Sequence, residues 1–185
     1  MNSSVVYCAD MLMLGQDVLA KPLTTGVYVR PDVLHAYVRD LLERLTGDRP
    51  SPDHDGDLPV AMEGAKFYVR VVGTVDPWLQ VFSVALDEIE ASSELMVQIN
   101  EVNRQLRFAR AFHVSRQVLI ETEIWADDVN PANFAHACRN VASATDAFAP
   151  ELCAEFGGRL FFDESKSSEY ESQSAPRGNV AGPYL

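Results

Sequence analysis

The sequence predicts an α+β fold in which helices pack on one face of an antiparallel sheet of about five strands. Apolar residues recur with the 3.6-residue period of a helix in three segments, and two other segments carry the β-branched and aromatic residues of hairpins. The order is helix, hairpin, helix, hairpin, helix. Helices that alternate with hairpins, rather than with single strands, indicate an antiparallel sheet.

The first predicted helix spans residues 31–46. Pro31 suits the first helical turn, where its missing N–H has no partner to lose, and Gly47 suits the end. One face of this helix carries the apolar residues Leu34, Val38, Leu41 and Leu45. The stretch 47–58 contains two prolines and four aspartates, which predicts a loop.

The two hairpins are predicted from strands rich in valine, isoleucine and aromatic residues, joined by turn residues. The turns lie at 73–77 and 115–116. The predicted strands are 65–72 and 78–86 in the first hairpin, and 110–114 and 117–125 in the second, with 60–62 as a candidate short strand before them.

Capping residues mark the other two helices. Ser92 is a good N-cap, and the helix after it repeats Leu95, Ile99, Val102 and Leu106 on one face. The last helix begins at Asn130-Pro131 and stops at Gly157-Gly158. Pro150 lies within it and is expected either to kink the helix or to restart it, because proline cannot donate a backbone hydrogen bond.

The chain ends differ from this central domain, which we expect to span residues 31–162, with an edge strand at 159–162. Residues 1–30 show no convincing period, so the sequence leaves the structure of this segment open. Residues 163–185 have five serines, few aliphatic residues and a net charge of −2. Such a segment buries too little apolar surface to offset its ordering entropy, so we predict a disordered acidic tail.

Composition narrows the class of protein. The chain has 185 residues, 47% of them apolar, and its 15 basic and 27 acidic residues give a net charge of −12. Nucleic acids and anionic membranes attract basic surfaces, so neither is the expected partner. No signal peptide or run of about 20 apolar residues is present, and the three cysteines have no CxxC spacing. We therefore expect a cytoplasmic protein.

Metal-binding patterns are absent from the sequence. His35, His54, His113 and His136 are far apart and lack HExxH or HxH spacing. Asp53, Asp55 and Asp57 imitate the start of a calcium loop, but that loop needs a glycine at position 6 and a glutamate at position 12. Leu58 and Gly64 stand there instead, so we interpret this stretch as a solvated acidic loop.

Catalytic motifs are also absent. There is no GxSxG, GxGxxG or GxxxxGK[ST] sequence, and Cys138 and Cys153 fall on the last predicted helix, where a small buried hydrophobe is ordinary. The acidic pairs Glu88/Glu90 and Asp127/Asp128 lie at element boundaries, where carboxylates commonly interact with helix dipoles. We predict a protein without catalytic residues or a cofactor.

One face of the predicted sheet is apolar, and the opposite face mixes aromatic with polar side chains. Because strand side chains alternate between faces, Phe67, Val69 and Val71 share the apolar face. Tryptophan, tyrosine and arginine are the usual anchors of interfaces. The predicted partner-binding residues are Tyr68, Arg70, Trp78, Gln80, Phe82 and Trp125. The alternative is that residues 1–30 or the last helix cover this face within the molecule.

Several short segments carry a family resemblance. They are Ser92-Ser93-Glu94-Leu95, Ile99-Asn100-Glu101-Val102-Asn103, the strand Val118–Ile124, Ala149-Pro150-Glu151-Leu152 and Phe156-Gly157-Gly158. Over roughly residues 31–160 the chain resembles the YbjN-like proteins, which are grouped with the type III secretion chaperones. The resemblance implies an α+β domain, commonly dimeric, that holds a segment of another protein, and it implies no catalytic residues.

The sequence therefore favours a non-enzymatic, homodimeric module that binds a peptide or protein on the face or edge of its sheet. Two alternatives stay open. One is a small-molecule-sensing regulatory domain, in which the aromatic face closes over a pocket of about 300 Å3 or more. The other is an enzyme with an unfamiliar site, which would show a His or Glu of strongly shifted pKa within a cleft.

Overall fold

The computed structural model describes residues 30–62 and 64–161, which form three α-helices and six strands. The helices are α1 (Pro31–Thr46), α2 (Ser93–Gln105) and α3 (Pro131–Phe156). The strands are β1 (Leu58–Met62), β2 (Ala65–Val72), β3 (Trp78–Asp87), β4 (Arg110–Val114), β5 (Gln117–Trp125) and β6 (Arg159–Leu160). The predicted segment 1–30 and tail 163–185 lie outside the described residues, except for Arg30.

The strands form one antiparallel sheet in the order β1-β2-β3-β5-β4, and β6 pairs with the end of β3. The two predicted hairpins are present, and the sheet is completed where β3 pairs with β5. Trp78 lies opposite Trp125, and Phe82 lies opposite Glu121. The predicted α+β fold with an antiparallel sheet is confirmed.

All three helices contribute to a core on one face of the sheet. Phe134 of α3 packs with α1 and with the inward residues of β1 to β3, among them Phe67. Leu95 of α2 and Leu152 of α3 pack with the inward residues of β4 and β5. The inward residues of the sheet are therefore the apolar set that strand alternation predicts.

The predicted helix ends are confirmed. The Ser92 hydroxyl accepts a hydrogen bond from the Leu95 N–H at 3.0 Å, and the Asn130 side chain accepts from the N–H groups of Ala132 and Asn133. Gly47 ends α1 with a φ of 86°, in the left-handed region that glycine enters without steric cost. Local sequence therefore sets where these helices begin and end.

Two details differ from the sequence-based expectation. The helix α3 runs without a break through Pro150, so it does not restart there. Burial of Ala149 and Leu152 on either side holds this turn against the sheet, although Pro150 donates no hydrogen bond. The edge strand β6 has two residues instead of the predicted 159–162, and Phe161 after it turns towards Tyr68.

Candidate functional site

The candidate site is the sheet face that points away from the helices, which we call the outer face. Its members alternate with the core residues and belong to neither core cluster. They are Lys66, Tyr68, Arg70 and Val72 on β2, Trp78, Gln80, Phe82 and Val84 on β3, Leu119, Glu121, Glu123 and Trp125 on β5, and Arg110 and Phe112 on β4. The structure thus places all six predicted partner-binding residues on one surface.

The middle of the outer face is a layer of side chains that cover one another. The ring of Tyr68 stacks on Phe82 with centroids 5.4 Å apart, and the Arg70 guanidinium lies 4.9 Å from the Phe82 centroid. Phe82 is consequently only 9% exposed although no helix contacts it from this side among the described residues. A partner would meet Tyr68 and Arg70 first, with Phe82 beneath them.

Arg70 is fixed by Asp57. Its Nε and Nη2 donate to the two carboxylate oxygens of Asp57 at 2.6 and 2.5 Å, and this bonding raises the pKa of Arg70. Asp57 is buried, so the interpretation of Asp53, Asp55 and Asp57 as a solvated loop is wrong for Asp57. The Asp53 carboxylate instead accepts the N–H groups of Asp55 and Asp57, which orders the loop.

Glu121 is the most buried charged group on the outer face, with 1% of its side chain exposed. Its Oε1 accepts hydrogen bonds from Nε of Arg110 at 2.7 Å and from Nη2 of the same arginine, and its Oε2 accepts from the Gln80 amide at 2.6 Å. These bonds join three neighbouring strands. Strand alternation alone assigns Glu121 to the face of Trp125, but it does not show the network. The signal in the sequence is a glutamate at the centre of a valine- and isoleucine-rich strand.

The two tryptophans form an aromatic corner at one end of the outer face, which we call the tryptophan corner. Their ring centroids are 6.0 Å apart with planes at 64°, an edge-to-face contact. Trp78 also packs against Gly73, since a Cβ at Gly73 would lie 3.0 Å from Trp78 Cζ3. Trp125 is 61% exposed. The corner therefore presents a large aromatic surface in which the Trp78 ring is held against Gly73.

The structure decides one of the two ways in which the chain itself could cover the outer face. The buried apolar residues of α3 belong to the core clusters on the opposite face, so the alternative in which the last helix covers the outer face is wrong. Cover by residues 1–30 concerns residues outside the described part. Phe161 contacts Tyr68 edge-on, with centroids 6.3 Å apart.

Tyr68 and Cys138 titrate away from their usual ranges. Burial, reinforced by the negative charges of Asp53 and Asp57, raises the pKa of Tyr68 to about 12, so its hydroxyl stays a hydrogen-bond donor at neutral pH. Burial raises the pKa of the Cys138 thiol to about 12 as well. A thiol that stays protonated is a poor nucleophile.

Within residues 30–62 and 64–161, no group of three His, Cys, Asp or Glu side chains is placed to hold a metal ion. The His113 ring has a backbone partner, with Nε2 lying 2.9 Å from the carbonyl oxygen of Ile89. None of the helices described has the length and apolar character needed to cross a bilayer.

Comparison with protein families gives a match over most of the chain. The family model TY-Chap1, described as "T3SS (YopN, CesT) and YbjN peptide-binding chaperone 1", matches residues 32–164. This match covers most of the chain and confirms the resemblance inferred from the sequence. A search of the curated proteins finds no match.

Comparison with solved structures gives chains of similar fold. A chain of the ExsC-ExsE complex is 14% identical with a TM-score of 0.51, over 64% of this chain and 96% of that one. A chain of the ExoU-SpcU heterodimer from the type III secretion system of Pseudomonas aeruginosa is 16% identical with a TM-score of 0.43, over 61% and 95%. A chain of the Yersinia pestis secretion chaperone SycH with a YscM2 fragment is 13% identical with a TM-score of 0.38, over 63% and 97%. The first of these supports the fold.

The Glu121 network gives a stability prediction. Arg110→Met removes the cation that Glu121 contacts while keeping an aliphatic stem. We expect the free energy of unfolding to fall by about 1–3 kcal/mol in urea denaturation, because a buried carboxylate loses charge-assisted hydrogen bonds. Arg104→Met is the control, since the ion pair of Arg104 with Glu101 is exposed. Equal losses in the two variants would contradict a structural role for the network.

The packing of Trp78 on Gly73 gives a second prediction. Gly73 and Gly56 have φ angles of +84° and +85°, so alanine at either position carries the cost of a left-handed backbone, about 1–2 kcal/mol. Only at Gly73 does the new methyl group meet an indole ring. We expect Gly73→Ala to lose about 1 kcal/mol more than Gly56→Ala and to shift tryptophan emission. Identical unfolding curves and spectra would show that Gly73 does not position Trp78.

Proposed function

Since the chain belongs to the TY-Chap1 family of type III secretion and YbjN peptide-binding chaperones, we propose that it holds a segment of a partner protein against its outer face. The observation that carries the proposal is the exposure of Trp125 beside Trp78. A tryptophan exposed by 61% in a patch with other aromatic rings is typical of a surface that a partner covers. The chain of similar fold in the ExsC-ExsE complex was also solved with a second protein.

The six predicted residues divide into two roles under this proposal. Trp78, Trp125 and Tyr68 are the contacts, because their rings are at least partly exposed. Arg70 donates its hydrogen bonds to Asp57, and Gln80 donates to Glu121. These two side chains therefore fix the shape of the surface and with it the register of the bound segment. Phe82 supports Tyr68 from below.

The edges of the sheet offer a second source of affinity. Among the described strands, β1 pairs only with β2 and β4 pairs only with β5, so each has one edge without a strand neighbour. An extended segment that adds to such an edge gains main-chain hydrogen bonds whatever its sequence, while the outer face selects its side chains. The β4 edge is partly occupied, because the Asn103 side chain accepts from the Ala111 N–H at 2.7 Å and donates to its carbonyl at 2.9 Å. This favours β1 as the edge used, although Pro59 removes one donor from it.

We propose that the module works without catalysis and in the cytoplasm. The protonated Cys138 thiol and the bonded His113 ring support the first point, and the sequence-based expectation supports the second. The accessible tryptophan corner favours a peptide over the small-molecule alternative. A sensor of small molecules would bury its aromatic rings around an enclosed pocket.

We propose a homodimer through the α2–β4 side of the domain. Phe108 is 86% exposed, and Val97 on α2 is also exposed. The backbone of Phe108 is left-handed, with a φ of 60°, and its carbonyl accepts a hydrogen bond from the Thr122 hydroxyl at 2.5 Å. A large ring presented by a fixed loop next to β4 suits contact with a second copy.

The role of the tryptophans is tested with a peptide selected from a displayed library of random peptides by the wild-type protein. We expect Trp78→Ala and Trp125→Ala to weaken its binding at least about tenfold, because each removes an aromatic anchor. Titration calorimetry measures the affinity, and urea denaturation measures stability. Tyr37→Ala on α1 is the matched control, a partly exposed aromatic residue on the helical side.

This test separates binding from folding. Trp125→Ala is expected to leave the urea midpoint almost unchanged, since the ring is mostly in solvent. A Trp78 variant that loses stability and affinity in proportion, together with a Trp125 variant that loses neither, would make the corner part of the core and refute the proposal.

The proposed dimer is tested by light scattering coupled to size exclusion. The wild-type protein is expected at twice the monomer mass of 20.5 kDa, and Phe108→Asp is expected to shift it to the monomer, because a charge cannot be buried unpaired at a contact. Val33→Asp on α1 is the control, another exposed apolar residue. A wild-type monomer, or a dimer that survives Phe108→Asp, would contradict this interface.

A further inference from the structure

The charged residues near the tryptophan corner in the sequence are acidic. Residues 71–103 and 117–138, which supply both tryptophans, contain no lysine or arginine. Four exposed carboxylates lie close to the corner in the chain. They are Asp76, which precedes Pro77-Trp78, Glu123, which lies on the outer face two residues before Trp125, and Asp127 and Asp128 in the 3-10 turn that follows.

The backbone draws these acids together. The Ala126 N–H donates to the Pro77 carbonyl at 3.1 Å, which ties the turn after Trp125 to the strand end before Trp78. Asp76 directly precedes Pro77, and Asp127 directly follows Ala126, so the two aspartates flank that hydrogen bond. Neither forms a salt bridge within the described residues, whereas Glu123 lies 3.5 Å from Arg110. The corner is therefore an aromatic surface beside two carboxylates, those of Asp76 and Asp127, that have no cationic partner within the described residues.

We propose that the tryptophan corner binds an arginine or lysine side chain of the partner, so that the preferred segment is basic as well as apolar. This inference rests on the proposed function and adds the chemistry of the ligand to it. A cation placed over an indole face is attracted by the ring quadrupole, and tryptophan is the best of the aromatic residues for this contact. The neighbouring carboxylates add Coulomb attraction of the same sign.

The remainder of the protein favours the same ligand. The net charge of −12 draws a basic segment towards the molecule before contact, and exposed acids remain available at the corner to pair with it. Two arginines of the outer face, Arg70 and Arg110, form ion pairs with Asp57 and Glu121, respectively. These arginines lie on strands β2 and β4. An acidic segment would meet uncompensated repulsion at the corner.

The experiment compares two forms of one peptide. A peptide that binds the wild-type protein is selected from a displayed random library and synthesised with its arginine or lysine residues intact, and again with citrulline or acetyl-lysine in their places. These replacements remove the charge and keep the approximate shape. Binding is followed by tryptophan emission. This signal reports on the corner alone, because the two tryptophans of the chain both lie there. We expect the neutral form to bind about tenfold more weakly.

Protein variants locate the effect. Asp76→Asn combined with Asp127→Asn is expected to reduce the preference for the charged peptide to less than about threefold, because the two substitutions remove its carboxylate partners. The matched control combines Glu151→Gln with Glu155→Gln, which changes net charge equally at exposed positions of α3. The control is expected to keep the full preference. Raising NaCl from about 50 to about 300 mM is expected to weaken only the charged form, since salt screens exposed charges.

The outcomes distinguish the two claims. If peptides bind and change tryptophan emission, but the neutral form binds within about twofold of the charged one, this inference is overturned and the proposed function stands. If no peptide binds, or if Trp125→Ala leaves binding unchanged, the proposed function fails and the inference fails with it. A preference lost equally in the α3 control would reduce the effect to net charge and would also overturn the inference.

Other occupants of the corner give their own results. Emission that shifts with protein concentration, without peptide, would indicate a second copy. Emission that shifts on deletion of residues 163–185 by as much as peptide shifts it would indicate the chain's own tail. Either result would overturn the assignment to a basic partner segment.

Discussion

The structure depends on a sheet whose three described helices all pack on the same side. Six strands bury one face against α1, α2 and α3, while the opposite face has to satisfy its own side chains. It does so laterally: Tyr68 and Arg70 cover Phe82, and Arg110 with Gln80 surrounds Glu121. The result is a layer one side chain thick that is packed and hydrogen-bonded in its middle and exposed at its aromatic end.

Such a layer is suited to recognition because its side chains are already ordered. Immobilising a flexible side chain on binding costs roughly 0.5–1.5 kcal/mol. Arg70 is held by two hydrogen bonds to Asp57, and Trp78 is held between Gly73 and Trp125, so little of this cost remains for a partner to overcome. The same order explains why a face with several charged residues is not simply a hydrated surface.

The fold was predictable from sequence because its signals are local. Proline, serine and asparagine at helix starts, glycine at helix ends and the alternation along β5 each act within a few residues, and all of them are found as predicted. The placement of the six partner-binding residues on one face follows from the same alternation. Their role as contacts remains a prediction.

The interactions within the face were not predictable in the same way. Arg70 bonds to a residue 13 positions away, and Gln80 bonds to one 41 positions away, so these pairs depend on which strands are neighbours and in what register. Because the sequence does not show that β5 lies between β3 and β4, it does not show that Glu121 is buried. Asp57 was misjudged for the same reason: its burial depends on Arg70 across the sheet.

The position of β5 between β3 and β4 also has a consequence for the newly made chain. When β1, β2 and β3 leave the ribosome, β3 is a long apolar strand with one unpaired edge. The residues that pack over it in the core, Phe134 among them, have not yet been synthesised. Pairing of β3 with β5 must span the whole of α2 and β4, and distant contacts of this kind form slowly. The amino-terminal half is therefore prone to aggregation during translation, in the interval before β5 pairs with β3.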